Sequence, residues 1–304
     1  MEDNFSPKQV AIALKVSESS VKRWCDRGAI GTVKTHGGHR RISFDALMEF
    51  LSLTNREISD PSAIGLGGSD ASPLDDSSKI DRTTNDQLLR QRFEDALIRG
   101  DERECRKILI QWYGFEQSFA QVADDLIAPT FRKIGQLWHA SSIEIFQERR
   151  ACEICNRLTN EFRRVIIEPL PTAPKSIGCT STGDHYCVPG QLIEVVLREA
   201  GWRATNIGSN VPLGSLAVAV RQERPKLVWL SVSHIENKDA FVRELHEFCD
   251  SIPQEVSLVV GGRALTDDIR PRLRYTAHCD TMSQLSTLAK SIRSSMKQVR
   301  THPI

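Results

Sequence analysis

Seven Lys and Arg residues fall between Lys15 and Arg41, at positions 15, 22, 23, 27, 34, 40 and 41, against only Glu18 and Asp26. Such a local cationic surplus suits the phosphates of a nucleic-acid duplex. The neutral Gly37-Gly38 inside it lets the backbone come close to a partner. A second chemically capable set lies further on, at Asp184-His185-Tyr186-Cys187. A carboxylate beside an imidazole is the pairing that orients a ring nitrogen toward a metal. Cys179, His185 and Cys187 are close in sequence, but strand residues alternate faces and no fourth ligand follows, so no zinc-type site is expected. Cys152-Glu153-Ile154-Cys155 sits in a helical pattern with no second Cys pair and reads as two packed thiols. Ser19-x-x-Lys22 has the spacing of an acyl-enzyme nucleophile, but it lies on a short exposed helix without partner motifs, so acyl transfer is set aside. His234 and His246 read as ordinary polar residues of a loop and a helix, and no catalytic residue is assigned.

These residues need elements to hold them. Residues 6–14, SPKQVAIAL, predict a short helix with Ser6 as N-cap and Pro7 at its first position. Lys15-Val16 turns the chain, and Ser17 caps a second helix, SESSVKRWCDRG, that stops at Gly28. Residues 31–43, GTVKTHGGHRRIS, predict two short strands around a Gly-Gly turn, followed by a third helix over Phe44–Leu51. Residues 56–85 are rich in Ser, Asp, Gly and Pro without an aromatic residue, and read as a flexible linker. From 86 to 170 the apolar residues recur at helical spacing, with Leu88, Leu89, Phe93 and Leu97 on one stripe and Ile108, Leu109, Trp112, Phe115 and Phe119 on the next. Gly100 and Gly114 stand where helices would end, so the block predicts a four-helix bundle.

Residues 174–299 switch to alternating strands and helices. The strands are expected at Ser176–Cys179, Ala204–Ile207, Leu227–Ser233 and Ser257–Val260, the helices at 190–200, 213–222, 239–249 and 282–299. That alternation implies right-handed βαβ units and a parallel sheet. Ligands of such sheets bind outside the carboxyl ends of the strands. The loops there are Ser181–Pro189, Gly208–Pro212, Ser231–Glu236 and Gly261–Leu265.

The segments SPKQVAIALKVSESSVKRWCDRG and THGGHRRIS together resemble the winged helix-turn-helix of the MerR and excisionase families. The resemblance covers nearly all of residues 1–55. It implies a second helix lying in the major groove of double-stranded DNA and a wing on the backbone. Its DNA-facing residues here would be Ser19, Ser20, Lys22 and Arg23 on the helix, and Lys34, His36, Gly37, His39, Arg40 and Arg41 on the wing.

Residues 126–138, LIAPTFRKIGQLW, with HASSIEIFQERRACE after them, resemble the helical cap of cobalamin-binding modules. In light-sensing repressors of the CarH/LitR type a Trp is followed ten residues later by Glu-His. Here those positions are Trp138, Glu148 and Arg149, so the His is replaced. Residues 174–299 resemble the flavodoxin-like, Rossmann-type cobalamin-binding domain. Its signature is an acidic residue, any residue, His, two more and Gly. Registered on the downstream helix and Gly201-Trp202, that pattern puts Asp184 at the acid and Tyr186 at the cobalt-ligating His. His185 comes one residue early, and Pro189 replaces the Gly. Asn206–Pro212 resembles the family's second loop. Ser231-Val232-Ser233 and Gly261-Gly262 resemble the segments along the cofactor's nucleotide tail.

Cobalt in a corrinoid favours a neutral imidazole, and a phenol with a pKa of about 10 is a poor substitute. Three arrangements stay open at this point. A cobalamin could be held with its own base retained, His185 could reach cobalt through a shifted loop, or the pocket is vestigial or takes another ligand.

Composition limits what such a chain can be. Its 304 residues carry 40 Lys and Arg against 39 Asp and Glu, which excludes a globally basic coat protein and an acidic tail protein but not a local basic module. No run of apolar residues is long enough to span a membrane, and the N-terminus lacks a secretion pattern, so a cytoplasmic location is expected. With eight scattered Cys, reduced thiols are the default. The expected function is a DNA-binding transcription regulator, a homo-oligomer whose body senses a ligand or controls assembly. The alternatives are an adaptor that binds a partner regulator through a vestigial pocket and, further off, a corrinoid enzyme component, for which the chain has no catalytic partner domain.

Overall fold

A computed structural model describes residues 4–34, 37–54, 56, 60–64, 78–116, 118–166 and 168–301. The chain divides into two compact units, residues 1–118 with 126–151 and residues 119–125 with 152–304.

In the first unit, β1 (Asn4–Phe5), α1 (Pro7–Ala13), α2 (Glu18–Asp26), β2 (Val33–Lys34), β3 (Arg40–Ser43) and α3 (Phe44–Thr54) make the N-terminal head. The caps work as their residue types demand. Ser6 and Gln9 form a reciprocal capping box, and the Ser17 hydroxyl accepts from Ser20 N at 3.2 Å. Between the two helices Lys15 takes the left-handed conformation, φ 50°. The head's sheet is antiparallel in the order β1-β3-β2, one short strand more than expected. Val10, Val21, Ile30, Ile42, Leu47 and Phe50 fill its core.

The helical block begins at Ser78, inside the stretch that composition reads as linker, with α4 (Ser78–Arg99) and α5 (Glu102–Glu116). Pro61–Ile64 also form a 3-10 turn, while 57–59 and 65–77 lie outside the described residues. Leu89, Phe93, Ala96 and Leu97 of α4 are buried, as are Cys105, Ile108, Leu109 and Trp112 of α5. Leu88 and Phe115, placed on those stripes by spacing, are exposed instead. The third rod is not one regular helix. A single turn, α6 (Phe119–Val122), passes through a π-helical turn at Ala123–Ile127 into α7 (Ala128–His139). Pro129 lacks the N–H that would bond the Asp125 carbonyl, which accounts for the widened turn. Helix α8 (Ile145–Val165) completes the four rods.

The second unit carries a five-stranded parallel sheet in the order β5-β4-β6-β7-β8. Its strands are β4 (Lys175–Ser181), β5 (Arg203–Val211), β6 (Leu227–Ser231), β7 (Ser257–Gly261) and β8 (Ala277–His278). They alternate with α9 (Val188–Glu199), α10 (Leu213–Glu223), α11 (Lys238–Ser251) and α12 (Met282–Thr301). The order matches a flavodoxin-like sheet, whose switch point lies beside the first strand, here between β4 and β6. Strand β5 runs past the expected end at Ile207, with register shifts against β4 and with Gly208 and Asn210 at positive φ. Residues read as a turn therefore sit inside a bulged edge strand. Strand β6 stops two residues short of Ser233, because the Ser233 N–H turns away from the ladder to a side chain. Gly178 faces Trp229 so closely that a Cβ there would come within 2.1 Å of the indole. Two carboxylates tie residues 119–125 to this unit. Glu199 accepts from Phe119 N at 3.0 Å, and Asp124 accepts from Met282 N at 2.7 Å and Ser283 N at 2.8 Å at the start of α12.

Candidate functional site

The head presents α2 with its first turn in solvent. Ser19 is exposed and Ser20 half-buried, and both hydroxyls lie on Ser17 Oγ, at 2.9 and 2.8 Å. The Lys22 ammonium pairs with Glu18 at 2.8 Å, and Arg23 stands exposed beside it. Trp24 packs on Phe50 at 4.8 Å and carries the Arg56 guanidinium over its ring at 4.9 Å, which anchors α2 on α3. On the wing, Lys34, Gly37 and His39 are exposed, while His36 lies outside the described residues. Arg40 departs from expectation, since it reaches back to α2 and pairs with Asp26 at 2.5 Å.

At the carboxyl edge of the large sheet, four loops are bound into one array. Asp184, fully buried after β4, accepts from Tyr186 N through Oδ1 (3.1 Å) and from Ser233 N and His234 N through Oδ2 (2.6 and 3.2 Å). A buried carboxylate satisfied by three backbone donors is a rigid staple across the switch point. Asn210, at the end of β5, accepts from Gly183 N at 2.9 Å through its side chain and donates its own N–H to Asp184 O and Thr180 Oγ1. After β7, Arg263 donates Nε to Ser233 O at 3.1 Å and lays its guanidinium over the Tyr186 ring at 4.6 Å.

The array gives the carboxylate that could orient a ligating ring three backbone partners. Asp184 turns both of its oxygens to backbone donors, and His185 beside it is exposed. The residue in the register of the cobalt-ligating His, Tyr186, lies under a cation. Ser231 is buried inside β6. Gly261 and Gly262 are glycines for a reason internal to the fold. A Cβ at Gly261 would stand 2.5 Å from Cys279 O, and one at Gly262 (φ 122°) 2.3 Å from Val232 O.

In the helical block, Trp138 is 40% exposed on α7, with its ring 4.8 Å from that of His139, so it is not a core aromatic. Ile145 and Phe146, at the start of α8, are exposed as well. Glu148 is half-buried and pairs with the exposed Arg149 at 3.4 Å. The thiols are separate matters. Burial pushes Cys155 and Cys179 up to about 12, and Cys187 accepts from Asn156 Nδ2 at 3.0 Å. Among the described residues no group of three or more His, Cys, Asp or Glu is poised for a metal ion.

Comparison with known proteins bears on both regions. Residues 5–52 match the family described as helix-turn-helix domain, and residues 89–161 match the B12 binding domain family. The chain joins a helix-turn-helix domain to a B12 binding domain. The HTH-type transcriptional repressor CarA of Myxococcus xanthus is 22% identical over 181 residues, 58% of this chain and 59% of that protein, so the match spans well under two thirds of the relative. The monomethylamine corrinoid protein of Methanosarcina barkeri superposes with a TM-score of 0.56 at 13% identity, covering 68% of this chain and 99% of that one, a likeness of fold. In the helix-turn-helix domain, the pairing of Arg40 with Asp26 and the Lys22 carbonyl is not legible from a count of basic residues. In the region after the B12 binding domain match, sequence reading does not single out Thr180 and Arg263, and it places Asn210 and His234 in loops without their bonding roles. Each of these acts through partners distant in sequence, and only the positive-φ Asn in GSNVP carries a local mark.

No helix of the described residues is long and apolar enough to cross a membrane.

Proposed function

We propose that the chain is a DNA-binding transcription regulator, working in the cytoplasm as a homo-oligomer, whose body takes a corrinoid and couples it to how the heads are paired on DNA. The head would read the major groove through Ser19, Ser20, Lys22 and Arg23, with Lys34, His36, Gly37, His39 and Arg41 at the backbone. A single head of this kind covers a short half-site, which favours a symmetric assembly. The observation that carries the corrinoid half is the stapled array at the switch point, where Asp184 joins the loops after β4 and β6 in a fold that superposes on a corrinoid protein. The cofactor residues expected from the resemblance remain proposals within each unit by itself, Trp138, Glu148 and Arg149 in the first and Asp184, His185, Tyr186, Ser231, Ser233, Gly261 and Gly262 in the second. A corrinoid held there would be oriented by these loops, with Asp184 fixing them through backbone donors. No catalytic role is assigned to the chain.

The Arg263–Tyr186 stack also favours a second reading, in which the loops are closed over a vestigial pocket and the body binds a partner regulator. Purifying the protein in the dark, adding adenosylcobalamin, desalting, and recording the visible spectrum before and after illumination separates the two. A retained corrinoid spectrum supports the first reading, and its response to light tests light sensing. A colourless protein that still retards duplex DNA refutes the corrinoid half.

A further inference from the structure

The two neighbouring wing arginines, identical in composition terms, face opposite ways. Side chains alternate along a strand, so Arg40 leaves β3 on the face of Ile42, which is fully buried, while Arg41 leaves on the other. Arg41 is registered opposite Val33, which is 67% exposed. Arg40 is directed at the last turn of α2. Its Nη2 meets Asp26 Oδ1 at 2.5 Å and its Nη1 donates to the Lys22 carbonyl at 3.2 Å. Lys22 and Asp26 are one helical turn apart, so the planar fork of a guanidinium spans both acceptors. The contact also places a cation at the carboxyl end of a helix, where the helix dipole favours it and disfavours Asp26 alone.

We infer that Arg40 is a positioning residue that locks the wing onto the recognition helix, and that the wing's phosphate-facing cation is Arg41. The inference rests on the DNA-binding reading of the head. Its test uses the full chain, one duplex selected by the wild-type protein from a random pool, and an unrelated duplex of the same length. Affinity is measured by anisotropy over a series of salt concentrations. Arg40→Ala should weaken binding about threefold to tenfold, the cost of ordering a loosened wing, with the salt slope unchanged. Asp26→Ala should weaken it equally although it removes a negative charge, the double variant should be no worse than either single one, and Arg40→Lys should not rescue. Arg41→Ala should instead lower the slope by about 0.9. A slope lowered by that amount in Arg40→Ala, or tighter binding by Asp26→Ala, overturns the inference.

Hydrogen exchange without DNA gives an independent readout. The β2–β3 ladder should exchange faster in both Arg40→Ala and Asp26→Ala, and unchanged exchange in both overturns the lock. Failure of the wild-type chain to bind either duplex would refute the DNA-binding reading and leave the exchange result to decide the lock.

Discussion

Removing the Asp184 carboxylate should strike the second unit harder than any surface acid. Its side chain is fully buried and accepts from Tyr186 N, Ser233 N and His234 N at 3.1, 2.6 and 3.2 Å. A hydrogen bond to a charged group contributes about 1.5–3 kcal/mol, and the three share one acceptor group, so they do not add in full. Asp184→Ala leaves three backbone donors without their acceptor, each costing about 1–3 kcal/mol and not adding in full, for about 3–5 kcal/mol together. In a unit of this size each kcal/mol moves the melting temperature by about 2–4 °C, so the transition should fall by about 6–20 °C. Asp184→Asn keeps one oxygen but turns an amide toward the remaining donors, and should recover less than half of the loss. Asp268 is the control, an exposed acid whose carboxyl Lys238 and Thr266 hold down to about 2, and Asp268→Ala should move the transition by no more than about 1–2 °C. Circular dichroism melts of the full chain give the temperatures, and hydrogen exchange at Ser233 and His234 gives the local effect. If Asp184→Ala melts with the wild type and those two amides stay protected, the staple is not what holds the loops together.

Cys155 and Cys179, pushed up to about 12 by burial, should remain thiols through neutral and mildly alkaline pH, their thiolate fraction rising only as pH approaches that value. Mass spectrometry should therefore find both unlabelled by iodoacetamide near pH 8 in the native chain and labelled after denaturation, and rapid native labelling would contradict their placement. Ser17→Ala removes the acceptor for Ser20 N and should cost about 1 kcal/mol, read as roughly fivefold faster exchange of α2 amides. Equal exchange would mean that the cap contributes nothing. Gly262→Ala combines φ 122° with a contact of 2.3 Å to Val232 O and should abolish soluble expression or lower the melting temperature by more than about 5 °C. A wild-type melt would show that the loop has room.

Some of this architecture was written locally. Ser6, Ser17 and Gly28 mark the ends of α1 and α2 because capping is a transaction among residues three or four apart. The apolar runs of β6 and β7 announce a parallel sheet because both of its faces are covered. Two-residue strands such as β1 and β8 carry no periodicity to read, and β5 disguises itself, since Gly208 and Asn210 bulge a strand through turn-forming residues. Asp184 is conspicuous by type, yet its bonding is not legible in sequence, because two of its three partners are backbone N–H groups 49 and 50 residues away. Backbone donors leave no trace in a residue string. Arg40 was legible in principle, since strand alternation from the apolar Ile42 points it inward, but a count of basic residues treats it like Arg41.

The central claim is that ligand on the body and DNA on the head are energetically coupled. Anisotropy titration of the full chain into its selected duplex, with and without saturating adenosylcobalamin in the dark, measures that coupling. The account predicts affinities that differ by about fivefold or more, with the reciprocal change in corrinoid affinity that linkage requires. Superimposable isotherms from protein that demonstrably carries the corrinoid would contradict it.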